Sequence, residues 1–234
     1  MTLPVGKIKN PSTDDPLTLI PRTPFSLFPS GLPSDMMIST LNGISTFLET
    51  CMDCFETIAA TLLEFDGYWV RRSFKVNVTQ QDKKSLGKDS MPRPEIDLLA
   101  FKPREDLIIA FEAKSYLDSP GVPLAEITTP QEKSEGRYKI FTCETYRNII
   151  IKQLREDLIA KGMARESTKI KLGLIAANVK GGEEASTQLA NHMKLQGWEF
   201  WGPATVTEKL EALAGLDYEN DVAVIASKIL KKRK

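Results

Sequence analysis

Histidine, cysteine and long apolar runs are scarce or missing in this 234-residue sequence. Because the sequence has a single histidine, His192, a metal site built from several imidazoles is excluded. Three cysteines are too few, and odd in number, for a disulfide scaffold, so we expect a reducing, cytoplasmic compartment. No stretch approaches the roughly 18 consecutive apolar residues of a membrane-spanning helix, so no membrane partner is expected. Carboxylates and lysine are therefore the groups left to carry a reaction.

An excess of charge of either sign is also missing, because 31 lysines and arginines balance 31 aspartates and glutamates. A neutral chain has no overall attraction for nucleic acid, so such a surface would have to come from local clusters of basic residues. Apolar residues make up 41% of the chain, which is typical of a globular protein rather than a disordered one.

Proline content and periodicity divide the chain into an N-terminal arm and one α/β domain. Seven of the 14 prolines lie in residues 1–35, which predicts an irregular arm because proline interrupts helices and strands. Residues 36–234 alternate between helical and strand periodicity, which predicts a mixed central sheet flanked by helices. The predicted core order is α-β-β-β-α-β, with its second helix around residues 142–163. A helix over about 183–196, a short strand at 198–201, a helix from about Thr207 to Ala214 and a last helix are predicted to follow. Two polar stretches, 79–94 and 115–136, are expected to be loops, the first of them basic and mobile.

Charged residues inside two apolar runs, 95–101 and 107–114, are the most informative feature. Asp97 lies near the start of the first run and Glu112 near the end of the second, so an antiparallel pair brings both carboxylates to one end of the sheet. Lys114 shares a face with Glu112, because strand residues two positions apart point the same way. Such a group suits Mg²⁺ or Mn²⁺ and the hydrolysis of a phosphodiester. The alternative is a partly exposed ion pair between Asp97 and Lys114.

Two short motifs flank this predicted hairpin, Pro94-Glu95-Ile96-Asp97 at its start and Glu112-Ala113-Lys114 at its end. A helical stretch predicted from about Met36 precedes them, and its second half runs from Phe55 to a Gly67-Tyr68 turn. The first strand is predicted to follow this turn and to end at about Val78. A proline, an aspartate, a hairpin and an acidic-x-Lys triplet in this order resemble the signature of the PD-(D/E)xK nuclease superfamily. The helix is similar to the first helix of Mrr-like and RecB-like members. The resemblance covers about residues 50–180 and implies the restriction-endonuclease-like fold.

The resemblance also implies roles for the residues that match the signature. The implied catalytic residues are Asp97, Glu112, Lys114 and Glu56. The implied metal ligands are Asp97, Glu112, Glu56 and the backbone carbonyl of Ala113. Lys114 would position the attacking water, and Gln153 lies where RecB-like members often carry a glutamine. Glu49 and Glu64 compete with Glu56 for the helix position, and Glu56 as a solvated carboxylate is the alternative.

Basic residues suited to phosphate contacts occur in the polar loop and in the second predicted helix. The candidate nucleic-acid-binding residues are Lys83, Lys84, Lys88, Arg147 and Lys152. Further cations that would add to this surface are Arg137, Lys139 and Arg155.

Together these features predict a Mg²⁺- or Mn²⁺-dependent nuclease that hydrolyses DNA, most simply an endonuclease of restriction, defence or repair type. A homodimer is expected because cutting two strands needs two sites, and no small-molecule cofactor is evident. Two alternatives stay open. One is a non-catalytic nucleic-acid-binding or assembly module on the same fold, and the other is a nuclease directed at RNA.

Overall fold

Alternating helices and strands make up residues 54–232, the part of the chain that the computed structural model describes. The helices are α1 (Cys54–Phe65), α2 (Gln80–Ser85), α3 (Leu124–Thr128), α4 (Lys139–Thr142), α5 (Glu144–Ala160), α6 (Gly182–Leu195), α7 (Pro203–Leu213) and α8 (Val222–Lys231). The strands are β1 (Trp69–Lys75), β2 (Glu95–Lys102), β3 (Leu107–Lys114), β4 (Val122–Pro123), β5 (Lys169–Ala176), β6 (Val179–Lys180) and β7 (Glu199–Trp201). The predicted arm, residues 1–35, and residues 36–53 of the first predicted helix lie outside the described residues. None of the helices within 54–232 is both long and apolar enough to cross a membrane.

Five strands form the central sheet in the order β1-β2-β3-β5-β7. β2 runs antiparallel to its two neighbours, β1 and β3, whereas β5 and β7 run parallel to β3. β4 and β6 form a separate two-stranded parallel sheet. The mixed sheet with flanking helices confirms the predicted α/β class. From α1 to β5 the main elements follow the predicted order α-β-β-β-α-β, with short elements inserted between them.

Helices cover both faces of the sheet, which is why its central strands are apolar almost throughout. One core packs α1, α7 and α8 against the sheet, and the other packs α5 and α6 against it. β3 alternates between the two cores, with Ile108 and Ala110 in the α5 core and Ile109 and Phe111 in the α1 core. Because side chains two positions apart share a face, the charged end of β3 (Glu112 and Lys114) continues the row on the α5 side.

Two segments that the sequence predicts as loops contain regular structure. In 79–94, α2 forms after Thr79, whose side-chain oxygen accepts a backbone N–H of the first helical turn at 3.1 Å. In 115–136, β4 and α3 form where Val122 pairs with Val179 of β6. The loop prediction was wrong there because this pairing joins segments far apart in sequence and leaves no local pattern.

Several element ends also differ from the predicted ones by a few residues. β1 ends at Lys75 rather than at about Val78, and α7 begins at Pro203 rather than at about Thr207. Proline fits the first helical turn because its missing N–H would have no intrahelical acceptor there.

Candidate active site at the open end of the β2–β3 hairpin

Asp97 and Glu112 come together because the hairpin brings the start of β2 beside the end of β3. The register pairs Leu98 with Phe111, so one further step along the two strands places Asp97 next to Glu112. Both side chains lie on the α5 side of the sheet, where the apolar rows of the two strands end. The structure thus brings together the two carboxylates that the sequence places at one end of the sheet.

Lys114 bridges these two carboxylates. Its Nζ lies 3.1 Å from Asp97 Oδ2 and 3.1 Å from Glu112 Oε2. The side chains of Asp97, Glu112 and Lys114 are only 16%, 17% and 19% exposed, and a charge so enclosed is costly unless it is paired. The backbone N–H of Ala113 also donates to Asp97 Oδ2, at 2.8 Å. The ion pair that the sequence leaves as the alternative is therefore present, but as part of a largely enclosed three-residue cluster.

Burial and the neighbouring charges of the cluster shift the pKa values of Glu112 and Lys114. Burial, and then the negative charge of Asp97, raise the pKa of Glu112 to about 7, and the Lys114 ammonium only partly opposes them. For Lys114 burial works against the charged form, but the two carboxylates outweigh it and raise the pKa of the ammonium. With both carboxylates beside it, Lys114 is an ammonium at neutral pH and donates hydrogen bonds to them.

A cleft of about 310 Å³ opens beside this cluster, and Glu112 lines it. Tyr146 and Ile150 of α5 form one wall, and burial followed by the Glu112 charge raises the pKa of Tyr146 to about 12. Four cationic side chains also line the cleft: Lys88, Arg93, Arg137 and Lys139. Their positive charge around one carboxylate of the cluster suits a polyanion whose phosphate approaches Glu112.

Hydrogen bonds fix two of these cations at the rim of the cleft. Lys88 Nζ donates to the Ser134 carbonyl at 2.9 Å, and Arg137 Nη1 donates to Tyr116 Oη at 2.5 Å. Burial and then the neighbouring Lys88 charge lower the pKa of Lys139, and the Glu112 charge opposes them. The charge of Lys88 thus reaches Lys139, as expected for two cations in a single cleft.

The oxygen atoms at this end of the hairpin are of the kind that Mg²⁺ and Mn²⁺ prefer. Asp97 and Glu112 supply carboxylate oxygens, and the main chain of Ala113 runs beside Asp97, as the 2.8 Å hydrogen bond shows. Mg²⁺ is commonly held by one or two carboxylates, with waters and substrate phosphate completing its shell. The two carboxylates, Asp97 and Glu112, therefore have the type of ligand atom and the number of acidic groups that such an ion commonly uses.

Glu56 belongs to helix α1, outside the hairpin that carries the cluster. It lies in the first turn of α1 and is partly buried. Among residues 54–232, no three His, Cys, Asp or Glu side chains gather closely enough to hold a metal ion. Of the competing helix residues, Glu64 is exposed near the end of α1, and Glu49 lies outside the described range. The role that the resemblance implies for Glu56 stays a prediction.

The candidate nucleic-acid-binding residues lie in different places. Lys83 and Lys84 lie in the last turn of α2, and only Lys88 lines the cleft beside Glu112. Arg147 and Lys152 line another cleft, of about 490 Å³, beside Trp198.

Contacts within the protein hold the two residues of this second cleft, which also includes Arg155. Arg147 Nη1 donates to the Phe141 carbonyl at 3.0 Å, and its guanidinium lies 5.2 Å from the centre of the Trp198 ring. Lys152 Nζ lies 4.0 Å from Glu156 Oε1.

Gln153, the glutamine that the resemblance points to, is buried in α5. Its Nε2 donates to Glu156 Oε2 at 3.0 Å, so the side-chain amide is hydrogen-bonded to a neighbour on the same helix.

Arg93 and Tyr146 line the Glu112 cleft but were not singled out from the sequence. Arg93 stands between Pro92 and Pro94, directly before β2, and this proline-flanked position next to the motif was the available signal. Tyr146 falls in the apolar row of α5 and is read from sequence as a core residue, because helical periodicity does not say where a core ends and a cleft begins.

The backbone of β1 is distorted at Ser73, the position opposite Asp97. The ladder pairs Arg72 with Leu98 and Phe74 with Ile96, and it skips the step between them. Ser73 has a φ of 50°, in the left-handed region, which costs a non-glycine residue roughly 1 kcal/mol or more. The β1–β2 ladder is thus interrupted directly beside the Asp97 carboxylate.

Comparisons with protein-family models, with curated proteins and with solved structures give no match to this chain.

Proposed function

We propose that this chain is a metal-dependent nuclease that hydrolyses phosphodiester bonds in DNA. The observation that carries the proposal is the cluster at the open end of the hairpin. Asp97, Glu112 and Lys114 converge within hydrogen-bonding distance, and Glu112 faces a cleft lined by four cations. Metal-assisted phosphodiester hydrolysis uses acidic side chains that hold a divalent cation next to basic side chains that hold phosphate.

The fold supports the same proposal at a finer level than the α/β class. We assign the chain to the restriction-endonuclease-like fold of PD-(D/E)xK enzymes. The antiparallel β1-β2-β3 unit, the following α5 and the parallel β5 agree with the core order that the sequence resemblance implies. The acidic-x-Lys triplet lies at the end of β3, and Asp97 lies in the neighbouring strand, as in the signature.

The side chains have separable tasks in this mechanism. Asp97, Glu112 and the carbonyl of Ala113 would hold the divalent ion, which supplies positive charge at the phosphodiester when it is bound. Lys114 would donate hydrogen bonds that orient a water or a phosphate oxygen, as its Nζ already donates to Asp97 Oδ2 at 3.1 Å. Arg137 and Lys139 attract the phosphate backbone toward Glu112.

The deciding experiment offers the protein four substrates with Mg²⁺ or Mn²⁺: supercoiled plasmid, linear duplex DNA, single-stranded DNA and RNA. Wild type is compared with Glu112→Ala and Lys114→Ala. Glu105→Ala and Lys102→Ala are matched controls, because these residues form an exposed 2.7 Å ion pair at the other end of the same hairpin. The proposal expects cleavage of DNA that both site variants lose and both controls retain.

Each other outcome changes a specific part of the proposal. Cleavage of RNA alone would keep the site and change the substrate. Activity that survives in Glu112→Ala and Lys114→Ala would place the chemistry elsewhere or reveal a contaminating nuclease. Intact substrates throughout would contradict the assignment of an active enzyme and favour the second candidate below.

The second candidate is a nucleic-acid-binding or assembly module that lacks catalysis. The observation in its favour is that Lys114 already bonds to both carboxylates and compensates their charge. A module of this kind would bind nucleic acid through the basic cleft without a divalent ion, with Lys114 in place of the metal beside the two carboxylates. A titration with Mg²⁺ or Mn²⁺ followed by thermal unfolding separates the two, since ions bound only by the folded state raise the melting temperature. If the chain is the proposed nuclease, Mg²⁺ or Mn²⁺ should raise its melting temperature, and Asp97→Ala should abolish this rise.

A further inference from the structure

The last described helix, α8, has an apolar surface on its outer side as well as on its inner side. Ala223, Val224 and Ser227 are buried, and the first two pack in the core that also contains α1 and α7. Val222, Ile225, Ile229 and Leu230 are 83%, 44%, 51% and 66% exposed. Surface helices of globular proteins normally carry polar side chains on their outer face, so this face needs an explanation.

The exposed side chains form one continuous stripe. Successive residues of a helix turn by about 100°, so Val222, Ile225, Ala226, Ile229 and Leu230 fall within a sector of about 140°. Ala226 is exposed as well. The stripe runs the full length of this ten-residue helix, which is about 15 Å. An apolar sector of this width and length matches the contact face of a helix in a helix pair.

Opposite charges flank the stripe at its two ends. The segment just before α8 carries Asp217 and Glu219, both exposed, and Asp221 caps the helix by accepting two backbone N–H groups. The other end carries exposed Lys231 and Lys232. An antiparallel helix pair therefore sets the acidic end of one helix against the basic end of the other, at both ends of the contact.

We propose that α8 is the interface between two copies of this chain, packed antiparallel about a two-fold axis. The stripe then meets an identical stripe, and Glu219 of each copy lies near Lys232 of the other, which borders the stripe on the helix surface, while Lys231 adds positive charge at the same end. A parallel pair would put like charges together at each end, which is why the antiparallel arrangement is favoured. This inference does not depend on the proposed nuclease activity, although two sites related by a two-fold axis would suit cleavage of both DNA strands.

The size of the contact sets the expected strength of the dimer. One short helix from each copy gives a smaller contact than the roughly 800 Å² per partner of a standard stable interface. A dissociation constant on the order of micromolar is therefore expected, with monomer and dimer in exchange. Because part of the attraction comes from exposed charges, raising the salt concentration should shift the balance toward monomer.

The first test changes the stripe itself in the full-length chain. Sedimentation equilibrium and light scattering over a concentration series are compared for wild type and for the double variant Ile225→Glu/Ile229→Glu. Leu195→Glu is the matched control, because Leu195 is an apolar residue on α6 that is 85% exposed. The double variant should weaken dimerisation by about a hundredfold or more, which a charge buried in an apolar contact explains, and the control should dimerise like wild type.

The second test uses charge reversal and gives the orientation of the pair. Glu219→Lys and Lys231→Glu/Lys232→Glu should each weaken their homodimer about tenfold, because like charges then meet at both ends. A mixture of the two variants should form a heterodimer with near wild-type affinity, since opposite charges then meet at both ends. Native mass spectrometry distinguishes this heterodimer from either homodimer by mass.

Several outcomes would overturn the inference. A wild-type chain that is monomeric at tens of micromolar removes the dimer, and equal weakening by Leu195→Glu removes the role of the stripe. If wild type is monomeric and Ile225→Glu/Ile229→Glu melts at a lower temperature than wild type, another part of the same chain covers α8. If neither charge reversal weakens the dimer, the antiparallel orientation is wrong.

Discussion

The Asp97 carboxylate accepts a hydrogen bond from the backbone N–H of Ala113, at 2.8 Å across the β2–β3 hairpin. The same oxygen, Oδ2, accepts from Lys114 Nζ at 3.1 Å. A single oxygen atom therefore fixes the main chain of β3 and also pairs with the ammonium of the cluster. Substitutions that keep the oxygen but remove the charge can separate these two contributions.

Asp97→Asn and Asp97→Ala should differ in stability but not in activity. The asparagine oxygen can still accept the Ala113 N–H, so we expect a loss of less than about 1 kcal/mol. The alanine variant leaves that N–H without an acceptor and should lose about 1–3 kcal/mol. Both variants should lose Mg²⁺-dependent cleavage, because neither has the carboxylate. Urea unfolding and the cleavage assay measure the two effects, and equal stability losses would show that charge rather than hydrogen bonding matters here.

The raised pKa of Glu112 should make the stability of the metal-free protein depend on pH. A folded-state pKa of about 7, against an ordinary value of 4.5, means that protonation of Glu112 favours the folded state. This contribution is fully present below about pH 4.5 and is lost as the pH rises through about 7. Over that window it amounts to at most about 3 kcal/mol.

The variant Glu112→Gln removes this ionisation and should flatten the pH dependence. In the presence of a chelator, its free energy of unfolding relative to wild type should increase by up to about 3 kcal/mol between pH 4.5 and pH 8. Glu105→Gln, at the exposed turn of the hairpin, is the control and should show no comparable increase. A relative stability of Glu112→Gln that stays constant between these pH values would contradict the raised pKa. Added Mg²⁺ should reduce the increase, because a bound cation stabilises the ionised carboxylate of wild type.

The two basic clefts should contribute unequally to DNA cleavage. Arg137→Ala/Lys139→Ala changes the cleft that Glu112 lines, and we expect kcat/KM to fall about tenfold or more, mainly through KM. The slope of log kcat/KM against log salt concentration should become less negative by about one for each phosphate that the variant no longer neutralises. Arg147→Ala/Lys152→Ala changes the cleft beside Trp198 and should have a smaller effect. An equal or larger effect of the second variant would mean that DNA also follows that cleft.

Ser73 should tolerate β-branched residues poorly although it is an exposed strand position. Its φ of 50° is unfavourable for a side chain branched at Cβ, so Ser73→Val should destabilise the protein by about 1–2 kcal/mol. Arg71→Val is the matched control, because Arg71 is exposed on the same strand and pairs regularly with Leu99. The control should be neutral or mildly stabilising, since valine favours strands. Equal behaviour of the two variants in urea unfolding would mean that β1 pairs regularly at Ser73.

The sequence predicted the hairpin and its charged end because both depend on short-range patterns. Strand alternation is enough to put Glu112 and Lys114 on one face, and the short turn between the apolar runs is enough to bring Asp97 to the same end. The helical periodicity of the sequence likewise predicted α5 and α6 to within a few residues. These features need no information beyond neighbouring residues, and the structure has them where the sequence predicts them.

The arrangement of the cleft was decided only in the tertiary structure. Lys88, Arg93, Arg137 and Lys139 come from segments on either side of the hairpin, and their meeting beside Glu112 depends on how the loops pack. β4 formed in a predicted loop for the same reason, since its partner β6 is distant in sequence. Local sequence determines which residues share a face of one element. Only the packing of distant segments decides which of those faces meet, and therefore which cations surround Glu112 and which face of α8 is left exposed.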